Sequence, residues 1–330
     1  MQQLRDFLER HQIALYFGAV AAAAGIALAR PATAALHELV NPALALMLYV
    51  TFLQVPLAEL RRAARQMRFL AALLTANFVL IPVLVAGLIP LLPADPMIRL
   101  GALLVLLTPC IDYVVTFSHL GRADARLLLA ATPVLLLAQM LLLPAYLALF
   151  LGEHAAQLIQ AEPFIHAFLW LIAAPLTLAA VTQMWAARSR AGASLMTCLG
   201  LLPVPATALV LFVVVAAVVP QIGSAIDPAL RVVPIYVAFA VAAPLLGWWV
   251  ARAFGTQTSA AGRSVAFSAA TRNSLVVLPL ALAVPGAMPV LPAVIVTQTL
   301  VELLSELVYV RAIARLGAQP RQAQGASPRR

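Results

Sequence analysis

Three side chains able to hold or move a small polar cargo fall within five positions of the otherwise apolar stretch LVLLTPCIDYVVTF, residues 104–117. Thr108 supplies a hydroxyl, Cys110 a thiol and Asp112 a carboxylate, with Pro109 between the first two. A thiolate is a nucleophile and a soft ligand, so Cys110 could take a thiophilic cargo while nearby hydroxyl and amide groups hydrogen-bond the rest. Farther along, SAATRNS gathers Ser268, Thr271, Arg272 and Asn273. Glu302 and Glu306 follow one helical turn apart, which places them on one helix face. Two carboxylates that close in a low dielectric are costly to ionise together, a setting that suits a proton carrier. Glu306 is expected nearer to water, solvated or paired with Arg311, which leaves Glu302 as the coupling candidate. Gln139 and Asn77 are further polar side chains inside apolar runs. Each group alone has a plainer account, since cysteine is a common small core residue and proline a common kink in membrane helices.

The elements that must position these groups belong to a bilayer. Of 330 residues, 64% are hydrophobic and 10% charged, whereas about a quarter are charged in soluble domains. Apolar runs long enough to cross about 30 Å of hydrocarbon as helix lie at 13–29, 36–55, 69–91, 98–120, 127–151, 164–185, 195–219, 232–252, 264–284 and 291–312. The expected fold is an all-α polytopic membrane protein with ten transmembrane helices. The first run has Asp6 and Glu9 on its flank and reads as a retained helix, not a signal peptide.

All 21 basic residues are arginines, and the net charge is +9. With the N-terminus in the cytoplasm, ten spans put Arg5, Arg10, Arg61, Arg62, Arg65, Arg68, Arg122, Arg126, Arg188, Arg190, Arg252, Arg263 and the arginines from Arg311 onward inside. Arg30, Arg99 and Arg231 fall outside, beside Asp95, Glu153, Glu162 and Asp227. The excess of inner arginine predicts a multi-pass protein of the inner (plasma) membrane with both termini cytoplasmic. The basic balance is then a topology signal with some attraction to anionic lipid, and it gives no support to nucleic-acid binding. Cys110 and Cys198 lie on different spans, which speaks against a structural disulfide. Residues 317–330, GAQPRQAQGASPRR, read as a disordered cytoplasmic tail.

Ten spans divide into halves of five, 1–152 and 153–316, and an odd number per half inverts the second relative to the first. Gln139 follows Cys110 by 29 positions and Glu302 follows Asn273 by the same 29, so both pairs are related by an offset of 163. Spans four and nine also carry the interruptions, at Thr108-Pro109-Cys110-Ile111-Asp112 and at Ser268 to Asn273. Proline removes a backbone donor, and broken helices at corresponding places in two halves point to a midplane binding site. Asp112 and Arg272 each lie well inside a span, where an isolated charge costs about 2.5–3.5 kcal/mol. A mutual ion pair is the expected remedy, and Arg272 against helix carbonyls is the alternative.

The order and spacing of ALALMLYVTFLQVPLAEL, NFVLIP, DPMIRLGALLVLLTPC, SHLGRAD, SAATRNS and TLVEL resemble the bile acid/arsenite transporter superfamily, and within it the arsenite permease branch. The resemblance runs from span two to span ten. It implies two inverted five-helix repeats, discontinuous and crossing helices four and nine, and outward transport of trivalent arsenic or antimony. It carries an essential cysteine onto Cys110, an asparagine onto Asn273 and a glutamate onto Glu302. This chain departs from the branch at Thr108-Pro109, where alanine-arginine is usual, at Asp112, which replaces an uncharged residue, and at Arg272, which replaces a polar one. The sodium-coupled bile-acid branch resembles it less well, since its helix-nine glutamate falls on Ser268.

Substrate groups are therefore expected at Cys110, Thr108 and Asn273, and pairing or coupling groups at Asp112, Arg272 and Glu302. Gln139, Asn77, Ser268 and Glu306 follow as secondary candidates. The expected activity is proton-coupled export of arsenite or antimonite, with Cys110 as a transient arsenic ligand and no resident metal or cofactor. The competing reading is a sodium-coupled symporter in which Arg272 holds the carboxylate or sulfonate of a small organic anion. Sodium thus stays open beside the proton as the coupling ion. Partners are the lipid bilayer and a small metalloid or organic anion. Enzyme readings fare poorly: HELVN at His37 lacks the second histidine of a membrane metalloprotease, and Asp112 alone cannot make an aspartyl dyad.

Overall fold

The computed structural model describes residues 2–54, 66–111, 113–152, 166, 168–222, 225–256, 258–282 and 284–317. Among the described residues the secondary structure is helical, with no strand and an isolated antiparallel bridge between Pro109 and Arg272. Asp112 lies outside the described residues, as do Arg61, Arg62, Arg65, Glu153, Glu162 and all of the expected tail after Gly317. The ion pair expected of Asp112 lies outside them with it.

Among the described residues seven helices are long and apolar enough to cross a membrane: Gln3–Ala29, Ala32–Leu53, Met67–Leu91, Ala125–Leu151, Pro203–Pro220, Ile226–Ala253 and Val290–Arg315. They coincide with seven of the runs expected from the sequence. The fourth run is two short helices, α5 (Pro96–Leu106) and α6 (Tyr113–Leu120). The ninth is likewise two, α12 (Ser259–Ala270) and α13 (Ser274–Leu282). The described part of the sixth runs from a π-helical turn, Phe168–Ala173, straight into α8 (Ala174–Ala186). A hydropathy run records apolar continuity, whereas a spanning helix also needs an unbroken hydrogen-bond ladder, and the fourth and ninth stretches lack one.

The remaining helices are α1 (Gln2–Ala29), α2 (Val40–Leu53), α3 (Met67–Thr75), α4 (Ile81–Leu88), α7 (Ala125–Leu151), α9 (Arg190–Leu199), α10 (Pro203–Ile222), α11 (Ile226–Ala253) and α14 (Val290–Ala312). Helix α1 packs on α10, α2 on α10 and α8, and α11 on α12 and α14, while α14 also meets α5 and α13. Local chemistry starts the broken helices where they start. Asp95 accepts the amides of Met97 and Ile98 at the head of α5, with Pro96 in the first turn where no donor is needed. Thr258 caps α12 by accepting from Ala261 N. The turn from α6 to α7 is then clamped to α12: Asp124 N donates to Ala260 O at 3.1 Å, and Arg263 Nη2 donates to Arg122 O at 2.7 Å.

Large apolar side chains such as Leu141, Leu149, Val241 and Val308 point outward and are mostly exposed, as lipid-facing residues are. The interior is equally apolar but close-packed. At Gly247 of α11 an added Cβ would come within 2.7 Å of Ala269 Cβ and 2.9 Å of both Ala266 Cα and Val265 O. Glycine there lets α11 lie directly on α12, the helix that carries Ser268 to its broken end. Gly247→Val should therefore destabilise the fold by about 1–3 kcal/mol. Thermal unfolding of the purified protein in detergent measures this, and an unshifted midpoint would show that the contact is not close.

Candidate functional site

The two broken spans meet at their breaks. Helix α5 ends at Leu106 because Pro109 cannot continue the ladder, and α12 ends at Ala270 as Thr271 turns to an extended backbone. Across the gap Cys110 N donates to Thr271 O at 3.0 Å, and Asn273 N donates to Thr108 O at 2.8 Å. The sequence offset of 163 relates Thr108 to Thr271 and Cys110 to Asn273, so it exchanges the two bonds with each other. Both threonine hydroxyls turn back to cover carbonyls of their own helices, Thr108 to Leu104 O at 2.8 Å and Thr271 to Phe267 O at 2.8 Å. Freed backbone groups in a bilayer need such partners.

Glu302 of α14 lies against this bridge and is 2% exposed. Its Oε2 accepts from the backbone amide of Arg272 at 2.7 Å and from Gln298 Nε2 at 2.5 Å, while its Oε1 accepts from the Tyr113 hydroxyl at 2.5 Å. The carbonyl that Cys110 binds and the amide that Glu302 binds belong to the same peptide unit, Thr271–Arg272. Thiol-bearing residue and carboxylate are thus tied across one peptide plane.

Glu306 corrects an expectation. It is 0% exposed and lies 2.6 Å, through Oε1, from the Thr271 hydroxyl, not at a wet interface beside Arg311. The face that carries Glu302 also carries Glu306 into the crossing, while Leu304 and Val308 take the outer side of α14. Its other oxygen, Oε2, has no hydrogen-bond partner among the described residues.

The Arg272 guanidinium is wholly buried. One terminal nitrogen, Nη2, donates to Asn77 Oδ1 at 2.7 Å, to Ala269 O at 2.7 Å and to Ser268 O; Nη1 reaches Leu106 O at 3.4 Å. Its carbon stands 5.7 Å from the Phe239 ring centroid. Asn77 reaches it from a π-helical turn, Ala76–Leu80, between α3 and α4. In that turn Ile81 N bonds Ala76 O, and the Asn77 side chain donates to Leu73 O at 3.0 Å and to Ser268 Oγ at 3.0 Å.

The structure therefore brings together Thr108, Cys110, Asn273, Arg272, Glu302, Glu306, Ser268 and Asn77. Asn273 heads α13 by accepting from Val276 N, and its Nδ2 is buried without a partner among the described residues. Gln139 is 1% exposed, and neither end of its amide finds a partner among them. Sequence reasoning missed Tyr113 and Gln298. Gln298 sits one turn before Glu302, and a tyrosine inside an apolar helix needs a hydroxyl partner, so both left a signal.

A cavity of about 590 Å³ opens next to the crossing, lined by Arg5, Glu9 and Tyr16 of α1, Thr51 of α2, Tyr113, Thr116 and His119 of α6, and Thr207 of α10, among others. Tyr113 belongs both to this wall and, through its hydroxyl, to Glu302. A second space touching Glu302, bounded by Tyr236, Phe239 and Tyr309, measures only about 10 Å³.

Hydrogen bonds to charged groups contribute about 1.5–3 kcal/mol. Asn77→Ala should lower stability by about that amount, against a few tenths for Thr197→Ala, whose exposed hydroxyl bonds back to its own helix at Ala193 O. Equal unfolding midpoints for the two variants in detergent would show that Asn77 does not hold the guanidinium.

A comparison with curated proteins finds no match to this chain. The sequence pattern of the Sodium Bile acid symporter family matches residues 41–226, from α2 through the Thr108–Cys110 break to the start of α11. That is more than half of the 330 residues, and the second break lies beyond it. The chain therefore belongs to the Sodium Bile acid symporter family, a family of transporters.

Proposed function

We propose that this transporter exports trivalent arsenic or antimony from the cytoplasm in exchange for protons. The observation that carries the reading is the shared peptide unit, which ties Cys110 to Glu302 through Thr271 O and Arg272 N. In the exchange, the thiol of Cys110 displaces one hydroxyl of the neutral trihydroxide, forming a sulfur–arsenic bond and releasing water. One such bond is weak enough to reverse, and Asn273 Nδ2 offers a donor for a remaining hydroxyl. Glu302 is the proton carrier: a proton arriving there removes the negative charge that holds the Arg272 amide, and the loosened peptide changes its grip on the residue that holds the cargo.

The architecture we propose is ten helices in two inverted repeats, 1–152 and 153–316, with 317–330 following as a tail, in the inner membrane with both termini cytoplasmic. The mutual exchange of the two bridge bonds under one offset supports it. The cavity beside Tyr113 is then the cytoplasmic vestibule. A second reading, symport of an organic anion with sodium, is favoured by the size of that cavity, which falls in the range of about 300–1,000 Å³ used for drug-sized ligands. Against it, both terminal nitrogens of Arg272 are committed to protein oxygens, and Arg272 is not among the residues that line that cavity.

Inside-out vesicles separate these readings. An acidic interior should drive arsenite uptake by the unaltered protein without sodium. Cys110→Ser should weaken arsenite binding by at least about tenfold, or about 1.4 kcal/mol. Glu302→Gln, similar in shape and fixed as neutral, should keep binding and lose the response to the proton gradient. Undiminished transport by Cys110→Ser would remove the thiol from the mechanism, and strictly sodium-dependent movement of an organic anion would replace the metalloid reading.

A further inference from the structure

An α-helix leaves its last four carbonyls without partners inside the helix, and that end carries partial negative charge. The crossing brings two such ends together. Leu106 is the final residue of α5, and Ser268 and Ala269 belong to the last turn of α12. All three carbonyls, with Asn77 Oδ1 as a fourth oxygen, are hydrogen-bonded by the Arg272 guanidinium. Three of the four converge on the single nitrogen Nη2 and the fourth lies against Nη1, so the terminal end of the guanidinium sits in an oxygen shell. Among the described residues no carboxylate forms an ion pair with it. Glu302, the nearby acid, takes the backbone amide of Arg272 and leaves the side chain to the helix ends.

Unwound carbonyls and half-helix C-termini are where discontinuous-helix transporters coordinate a coupling cation, and the family name implies sodium. These residues do not fit a free sodium ion at this place. A hard cation needs several oxygens to itself, and here they already serve a cation bound covalently to the chain. We propose that Arg272 is a tethered cation standing where a coupling sodium ion would otherwise bind, so that this carrier turns over without sodium. A tethered charge satisfies both helix ends but cannot leave with the cargo, so the driving force must enter elsewhere. The inference concerns the ion and not the cargo, and it does not rest on the metalloid reading.

The test uses the purified full-length protein in detergent, read by radioactive sodium binding and by thermal unfolding in sodium chloride against choline chloride at equal ionic strength. The unaltered protein should show no saturable sodium binding and the same midpoint in both salts. Arg272→Ala, which removes the guanidinium and keeps the four oxygens, should gain saturable sodium binding and a midpoint several degrees higher in sodium, as expected for a ligand that binds only the folded state. Millimolar guanidinium should compete with that sodium. Arg272→Lys should remain indifferent to sodium. Saturable sodium binding by the unaltered protein would overturn the proposal whatever the variants do, as would a folded Arg272→Ala protein that treats sodium and choline alike. Should Arg272→Ala fold only when sodium is present throughout purification, that too supports the oxygen shell.

Discussion

The rest of the site depends on one peptide unit, Thr271–Arg272, which is held on both sides in the middle of the molecule. Its carbonyl accepts from Cys110 and its amide donates to Glu302, so it joins two broken helices to a third, continuous one. Had either helix run on unbroken, these groups would be satisfied within their own ladders and would have nothing to offer across the gap. Breaking them exposes donors and acceptors in the buried interior, and several nearby polar side chains answer that deficit. Thr108 and Thr271 cover carbonyls, Asn273 covers an amide, and Arg272 gathers the helix ends.

Much of this was legible in the sequence because prolines and polar side chains are conspicuous against an apolar background. Pro109 and the run Ser268 to Asn273 marked both breaks, and the equal offset between Cys110 and Asn273 and between Gln139 and Glu302 suggested that the breaks correspond. Helix carbonyls were the alternative expected for Arg272 and are what it meets, but its particular partners were not legible. Three are backbone carbonyls, which no residue type announces, and the fourth, Asn77, lies 195 positions away in the chain. Glu306 was misread for a related reason: distance along α14 suggested an interface, whereas the face it shares with Glu302 decides its depth.

The expected spans illustrate the same division between what residue type reports and what geometry adds. Among the described residues seven runs are long helices because their apolar residues also sustain a ladder, even across Pro133 and Pro144 in α7. In α5 and α12 the halves are short, 11 and 12 residues, and neither would be a stable span alone. They persist because each is fastened at its outer end, by Asp95 and Thr258, and at its inner end by the other.

The π-helical turn at Ala76–Leu80 has a consequence for how this chain can vary. It is an extra residue accommodated within a helix, and it aims Asn77 at Arg272 while the same side chain covers Leu73 O. Loss of a single residue from this turn would restore regular winding and leave the flanking turns in register with their packing, but it would close the widened turn that aims Asn77 at the guanidinium. Along 67–91 the grip on Arg272 is therefore more sensitive to a change of length than the packing of the helix is.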